Sequence, residues 1–212
     1  MVAKILPIGM ALSVVLAALA PARKVLVSGD HHATSLAMQI TTNACQDKRV
    51  LYICGDNRFD PYAITRLAKS MGLTPDDALS SIHIARAFTA YQLVELVAEL
   101  APDVSNDFIV ISGLCSSFFD EDVPYVDAAR LFYRVLWRVV ELAHNGNAML
   151  LIQGRTITSA RRAYFLTDLC RASDVVLNLS GEHSFTLERR SRAALPGLAA
   201  LDKVLLKNDY NS

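Results

Sequence analysis

The chain has 212 residues, 52% hydrophobic and 20% charged, with 21 lysines and arginines balanced by 21 aspartates and glutamates. This composition excludes a disordered or fibrous chain and predicts one α/β domain over residues 1–212 with a full core. Zero formal net charge removes any global argument for a polyanion partner, so a nucleic-acid surface has to be local. The four cysteines are widely spaced with no Cys-x-x-Cys pair, and read as free thiols of a cytoplasmic protein rather than disulfides or a zinc site.

At the N-terminus, Lys4, the apolar run Ile5 to Leu19 and the small residues Ala18-Leu19-Ala20 have two readings. One is a secretory signal peptide; the other is an apolar core helix over residues 1–20. Pro21 directly after the cleavage point disfavours processing, and Pro7 and Gly9 interrupt a run too short to span a bilayer. A core helix, and no membrane partner, is therefore expected.

Lys24 to Ser28 is a buried strand running through Gly29 toward a helix over Leu36 to Ala44. Strand, glycine turn and helix N-terminus is the scaffold of phosphate-binding loops, because free backbone N–H groups there face the ligand. The chemistry needs G-x-x-x-x-G-K-[ST]; counted from Gly29, the second glycine position holds Thr34, the lysine position Ser35 and the hydroxyl position Leu36. If two residues are deleted, Thr34 supplies the hydroxyl, but the lysine is still missing. Gly29, Asp30, Thr34 and Ser35 thus outline a degenerate nucleotide site. His31 and His32 are adjacent and cannot share a helical face at i, i+4, so no metal site is predicted.

Val50 to Cys54 is an apolar strand broken by Gly55, Asp56 and Asn57. Asp60 with Pro61 starts a helix whose inner face carries Ile64, Leu67, Ala68 and Met71, and Gly72 ends it. Thr74, Pro75 and Asp77 open a shorter helix. Ile82 to Ala85 reads as a second buried strand, and Leu93, Leu96, Val97 and Leu100 form the stripe of the next helix.

The acidic turn at Asp56, the helix start Phe59 to Pro61, the link Gly72 to Asp77 and the strand end Ala85 to Phe88 follow one another in an order that resembles the core of RecA-type recombinases, in the branch of RadA and its paralogs. The resemblance runs from about Met10 and leaves out a small N-terminal helical domain and polymerisation linker. It implies a RecA-like P-loop NTPase fold: a mostly parallel twisted sheet flanked by helices, with a C-terminal antiparallel hairpin. It places Asp56 at the position of the glutamate that orients the attacking water. The strand Phe108 to Ile111 should end in the magnesium-binding aspartate, but Ser112 and Gly113 follow. Gln153, after the strand Ala148 to Ile152, takes the position of the glutamine that senses nucleotide and opens the second DNA-binding loop. With lysine and metal carboxylate both missing, the resemblance implies a pseudo-ATPase with no cofactor. ATP and magnesium enter only under the alternative of an altered P-loop.

The loop Leu114 to Pro124 carries Phe118, Phe119 and the acidic run Asp120 to Asp122, either as a docking loop or as apolar anchors under a solvated turn. A long amphipathic helix, Val126 to His144, follows. From Arg155 to Arg192 seven arginines face four carboxylates with no lysine, and Arg155, Arg161 and Arg162 are the candidates for contact with single-stranded DNA. Asp174 to Ser180 and Ser184 to Glu188 alternate as a hairpin. Leu201 to Leu206 adds a last strand, and residues 207–212 are a tail. The expected function is that of a non-catalytic recombinase paralog in DNA recombination and repair, binding DNA, an active RecA-like relative or its own copies. The alternatives are an ATPase with an altered loop and a regulatory or structural module that does not bind DNA.

Overall fold

The computed structural model describes residues 4–7, 10–19, 24–100, 107–154, 159–179 and 184–189. Arg155, the strand expected at Leu201 to Leu206 and the tail lie outside them. The N-terminal apolar run divides into a strand, Lys4–Pro7 (β1), and a helix, Ala11–Leu19 (α1). This corrects the single helix expected over residues 1–20. Proline has no N–H to give a helix, and it is tolerated in a strand at a sheet edge, which is where β1 lies.

Strands and helices then alternate: Lys24–Gly29 (β2), His31–Ala44 (α2), Val50–Cys54 (β3), Pro61–Ser70 (α3), Pro75–Ser80 (α4), Ile82–Arg86 (β4) and Ala90–Glu99 (α5). Phe108–Ser112 (β5), Tyr125–His144 (α6), Ala148–Gly154 (β6), Ala163–Ala172 (α7), Val175–Leu179 (β7) and Ser184–Arg189 (β8) complete the order. Helix starts follow from capping chemistry. Asp60 accepts from the N–H groups of Tyr62 and Ala63 ahead of Pro61, and Thr89 accepts from Gln92 N while Gln92 Oε1 accepts from Phe88 N.

Among the described residues the strands form one sheet in the order β1-β8-β7-β2-β6-β5-β3-β4. Strands β2 to β7 are parallel, and β8 returns antiparallel to β7 and pairs with β1. The expected hairpin is thus present. Period-two alternation sends Val25, Val27, Tyr52, Val110 and Leu150 to the face covered by α1 to α4. Leu26, Ile53, Ile109, Ile111 and Leu151 point to the face covered by α5 to α7. Helix α2 leaves β2 on the first face and α7 follows β6 on the second, so the neighbours β2 and β6 open a crevice at their C-terminal ends.

Strand β4 corrects a second expectation. It is the outermost strand rather than a covered one, and His83, Ile84 and Arg86 are exposed. An edge strand exchanges hydrogen bonds on one side only, so a short apolar run does not require burial on both faces.

The foot of β2 is fixed by a buried ion pair. Lys24 Nζ lies 3.0 Å from Asp174 Oδ2, the same oxygen accepts from Lys24 N, and Asp174 N donates to Lys24 O. Both side chains are about a tenth exposed, at 9% and 12%. Removing one partner leaves the other charge with poor access to water. Asp174→Ala is therefore expected to cost about 3 kcal/mol of unfolding free energy in urea melts, while Lys24→Met, which strands the Asp174 carboxylate but leaves it accepting from the backbone N–H of residue 24, costs less.

Candidate functional site

The crevice is built from the ends of four parallel strands. Ser28 and Gly29 pair with Gln153 and Gly154, and Cys54 pairs with Ser112. Gly55 N donates to Ser112 O and Gly113 N to Ile152 O, each at 2.8 Å, extending the ladders by one residue. The close approach requires glycine at two points. A Cβ on Gly29, where φ is +145°, would lie 2.3 Å from Leu179 O; one on Gly113, where φ is +66°, would lie 2.4 Å from Asp56 Cβ.

Strand β2 reaches helix α2 through a single residue. Asp30 is the N-cap, its side chain accepting from His32 N at 3.0 Å, and His31 is already helical. The helix therefore begins well before the expected Leu36. Thr34 and Ser35 lie in its second turn, lining a cleft of about 720 Å³ between α2 and α3 together with His31, Arg58 and Arg66.

Asp56 is turned inward. Its Oδ1 accepts from Ser112 Oγ at 2.9 Å and from Arg58 N at 3.2 Å, and the Cys54 thiol donates to it at 3.7 Å. The buried Tyr52 hydroxyl lies beside this group without a well-formed hydrogen bond, and burial pushes its phenol above the ordinary range. Gln153 is 1% exposed; its Oε1 accepts from Cys115 N at 2.9 Å, and its amide donates to Gly154 O at 3.1 Å.

The Rad51 family matches residues 27–122, which run from the end of β2 through β5; the β6 side of the crevice lies beyond the match. A meiotic recombination protein DMC1 homolog from Glycine max is 24% identical over 144 residues. The alignment covers 65% of this chain and 42% of that relative, so the chain spans less than half the relative's length. The chain has a RecA-like α/β core, similar over residues 27–122 to the Rad51 family.

Within this RecA-type core, Gly29, Asp30, Ser112, Asp56 and Gln153 do come together at the crevice, while Thr34 and Ser35 stand on the wall of the neighbouring cleft. Ser112, 2% exposed, and Gln153 bond to the protein rather than to the crevice mouth. Arg58 has no motif around it, yet its guanidinium reaches Gly154, where a Cβ would sit 3.0 Å from Nη1. It crosses from the β3 turn to the end of β6 and supplies positive charge there.

The expected DNA-contacting arginines separate. Arg161 is exposed and stacks on the Tyr125 ring at 3.9 Å, and Tyr125 in turn stacks on buried Phe165. Arg162 corrects the expectation: it is 5% exposed and donates to Phe118 O at 2.7 Å and to Val123 O. Loop carbonyls covered by protein need donors, and a guanidinium provides several. Phe118 and Phe119 are buried and Asp120 to Asp122 exposed, so the loop consists of apolar anchors under a solvated acidic turn. Arg162→Ala leaves both carbonyls without their donor. The expected result is a loss of about 2 to 4 kcal/mol, with faster hydrogen exchange in residues 114–124 than in the helix α6 that follows.

Proposed function

We propose that the protein is a non-catalytic RecA-type recombinase paralog that acts in DNA recombination and repair by binding. The observation that carries this reading is the junction of β2 with α2, where the Asp30 carboxylate takes the place at the helix N-terminus that a phosphate needs. A carboxylate repels a triphosphate, and no lysine stands in the strand-to-helix connection to offset it. Across the crevice, Ser112 and Gly113 offer no carboxylate to magnesium, and Asp56 is held by three donors against Gly113. These residues do not fit a magnesium nucleoside triphosphate, and no hydrolytic step is assigned to them.

A second reading, nucleotide binding through an altered site, draws on the cleft beside α2, where Arg58, Arg66, Thr34 and Ser35 could meet an anion. Calorimetric titration with ATP and magnesium separates the two. The proposal expects no saturable heat at about 1 mM ATP, a binding free energy weaker than about 4 kcal/mol, and no phosphate release. Binding tighter than that, lost in Arg58→Ala, would establish the altered site instead.

Two surfaces support a binding role. Among the described residues strand β4 has no partner on its outer edge, beside exposed Ile84, Phe88 and Tyr91, which suits a RecA-like partner chain or a second copy. Arg161, with Tyr164 62% exposed nearby in sequence, suits single-stranded DNA. Arg161→Ala is expected to weaken binding to a fluorescent single strand several-fold and to flatten its salt dependence by about one unit of slope. If anisotropy is unchanged in the variant, Arg161 is not a DNA contact and the binding role rests on the β4 edge.

A further inference from the structure

Asp30, His31 and His32 are consecutive, and neighbours in a regular helix point in different directions. Here the chain changes conformation between them. Asp30 is extended, with φ −83° and ψ −155°, and the two histidines are the first residues of α2, so all three side chains leave the same end of the helix. The imidazole centroids are 4.1 Å apart with their planes tilted by 36°. The potential ligand atoms of the three residues all lie within 4.8 Å of one another.

We propose that these three residues bind a divalent transition-metal ion of the class that prefers imidazole, such as zinc, nickel or cobalt. Two neutral imidazoles and one carboxylate are a donor set for those ions; magnesium and calcium favour all-oxygen shells. Around a tetrahedral ion with bonds of about 2.0 to 2.1 Å the donor atoms stand roughly 3.3 Å apart, so small rotations of the rings close the site. The carboxylate is already oriented by the hydrogen bond from His32 N, and a carboxylate has lone pairs enough to accept that bond and a metal together. The amide dipoles at the start of α2 oppose a cation, but they amount to about half a charge, and Asp30 brings a full one of the opposite sign. His31 is exposed and His32 half-buried, so an ion can enter from solvent, and its remaining positions are left to water.

The test is calorimetric titration of the whole chain with zinc, nickel and magnesium separately, at about pH 7.5. One equivalent of zinc or nickel is expected to bind in the micromolar range, and magnesium is not expected to bind. Affinity falls at least about tenfold in His31→Gln, His32→Gln and Asp30→Asn, and is unchanged in His83→Gln and His144→Gln. Asparagine is as good an N-cap as aspartate, so Asp30→Asn removes a ligand without removing the helix start. Cobalt spectra distinguish imidazole from thiolate ligation, because a thiolate adds intense near-ultraviolet charge-transfer absorption. No saturable binding, affinity indifferent to the histidine substitutions, or a thiolate band that assigns the ion to the cysteines would each overturn the site.

Discussion

The contact between Gly29 and Leu179 governs the crevice. Strand β2 lies between β6 and β7, and at its last residue the carbonyl of Leu179 comes so close that a side chain would meet it at 2.3 Å. The backbone therefore turns with φ +145°, a region that glycine enters without strain. With β2 held down to that residue, one residue is left to start α2, and Asp30 caps it. Such a cap contributes about 1 kcal/mol, enough to fix the first turn. A phosphate-binding loop requires several residues of free backbone at this point. Here glycine serves sheet packing, and the proposed loss of nucleotide chemistry follows from where the strand ends as much as from the missing lysine.

The same tightness runs across the crevice. Gly113 lies under Asp56, Ser112 donates to it, and the Cys54 thiol adds a third contact from within β3. Gln153 ties the end of β6 to Cys115 N, and Arg162 ties the segment before α7 to Phe118 and Val123. The loop between β5 and α6 is thus gripped from two sides. In a low-dielectric setting such satisfied polar groups rigidify what they join, and each would have to break for the loop to move. The arrangement suits a fixed surface better than a loop that responds to a ligand.

How much of this is legible in the sequence depends on the range of the forces involved. The cap at Asp60, the buried runs of β3, β5 and β6, and the antiparallel hairpin are local or periodic, and the residues announce them. Edge position is not local: Ile82 to Ala85 is as apolar as a central strand, and only the sheet order exposes Ile84. The burial of Arg162 is equally invisible, since it depends on carbonyls some forty residues away in the chain, and a run of arginines reads as a solvated patch. Arg58 carries no motif; its place over Gly154 follows from the sharp turn at Asn57, where φ is +55°. The start of α2 at His31 hides behind two histidines, weak helix formers that a firm cap outweighs.

These elements together separate the inside of the core from its rim. Inside, Asp30, Asp56, Ser112 and Gln153, positions that the resemblance assigns to nucleotide handling, have hydrogen-bond partners within the protein: Ser112 donates to Asp56, Asp30 accepts from His32 N and Gln153 from Cys115 N. At the rim, β4 is the outermost strand among the described residues, Arg161 rests on an aromatic ring with its charge in water, and the acidic turn at Asp120 to Asp122 is solvated. A buried polar group without a partner is costly, so a core that no longer held nucleotide would remain stable only if its polar residues were internally satisfied. Ser112 in hydrogen bond to Asp56 meets that requirement, whereas a second carboxylate at that position would place two like charges in contact with no cation between them. The substitution at the end of β5 and the inward turn of Asp56 are therefore one structural solution, and under the proposed binding role contact with a partner falls to the β4 edge and Arg161.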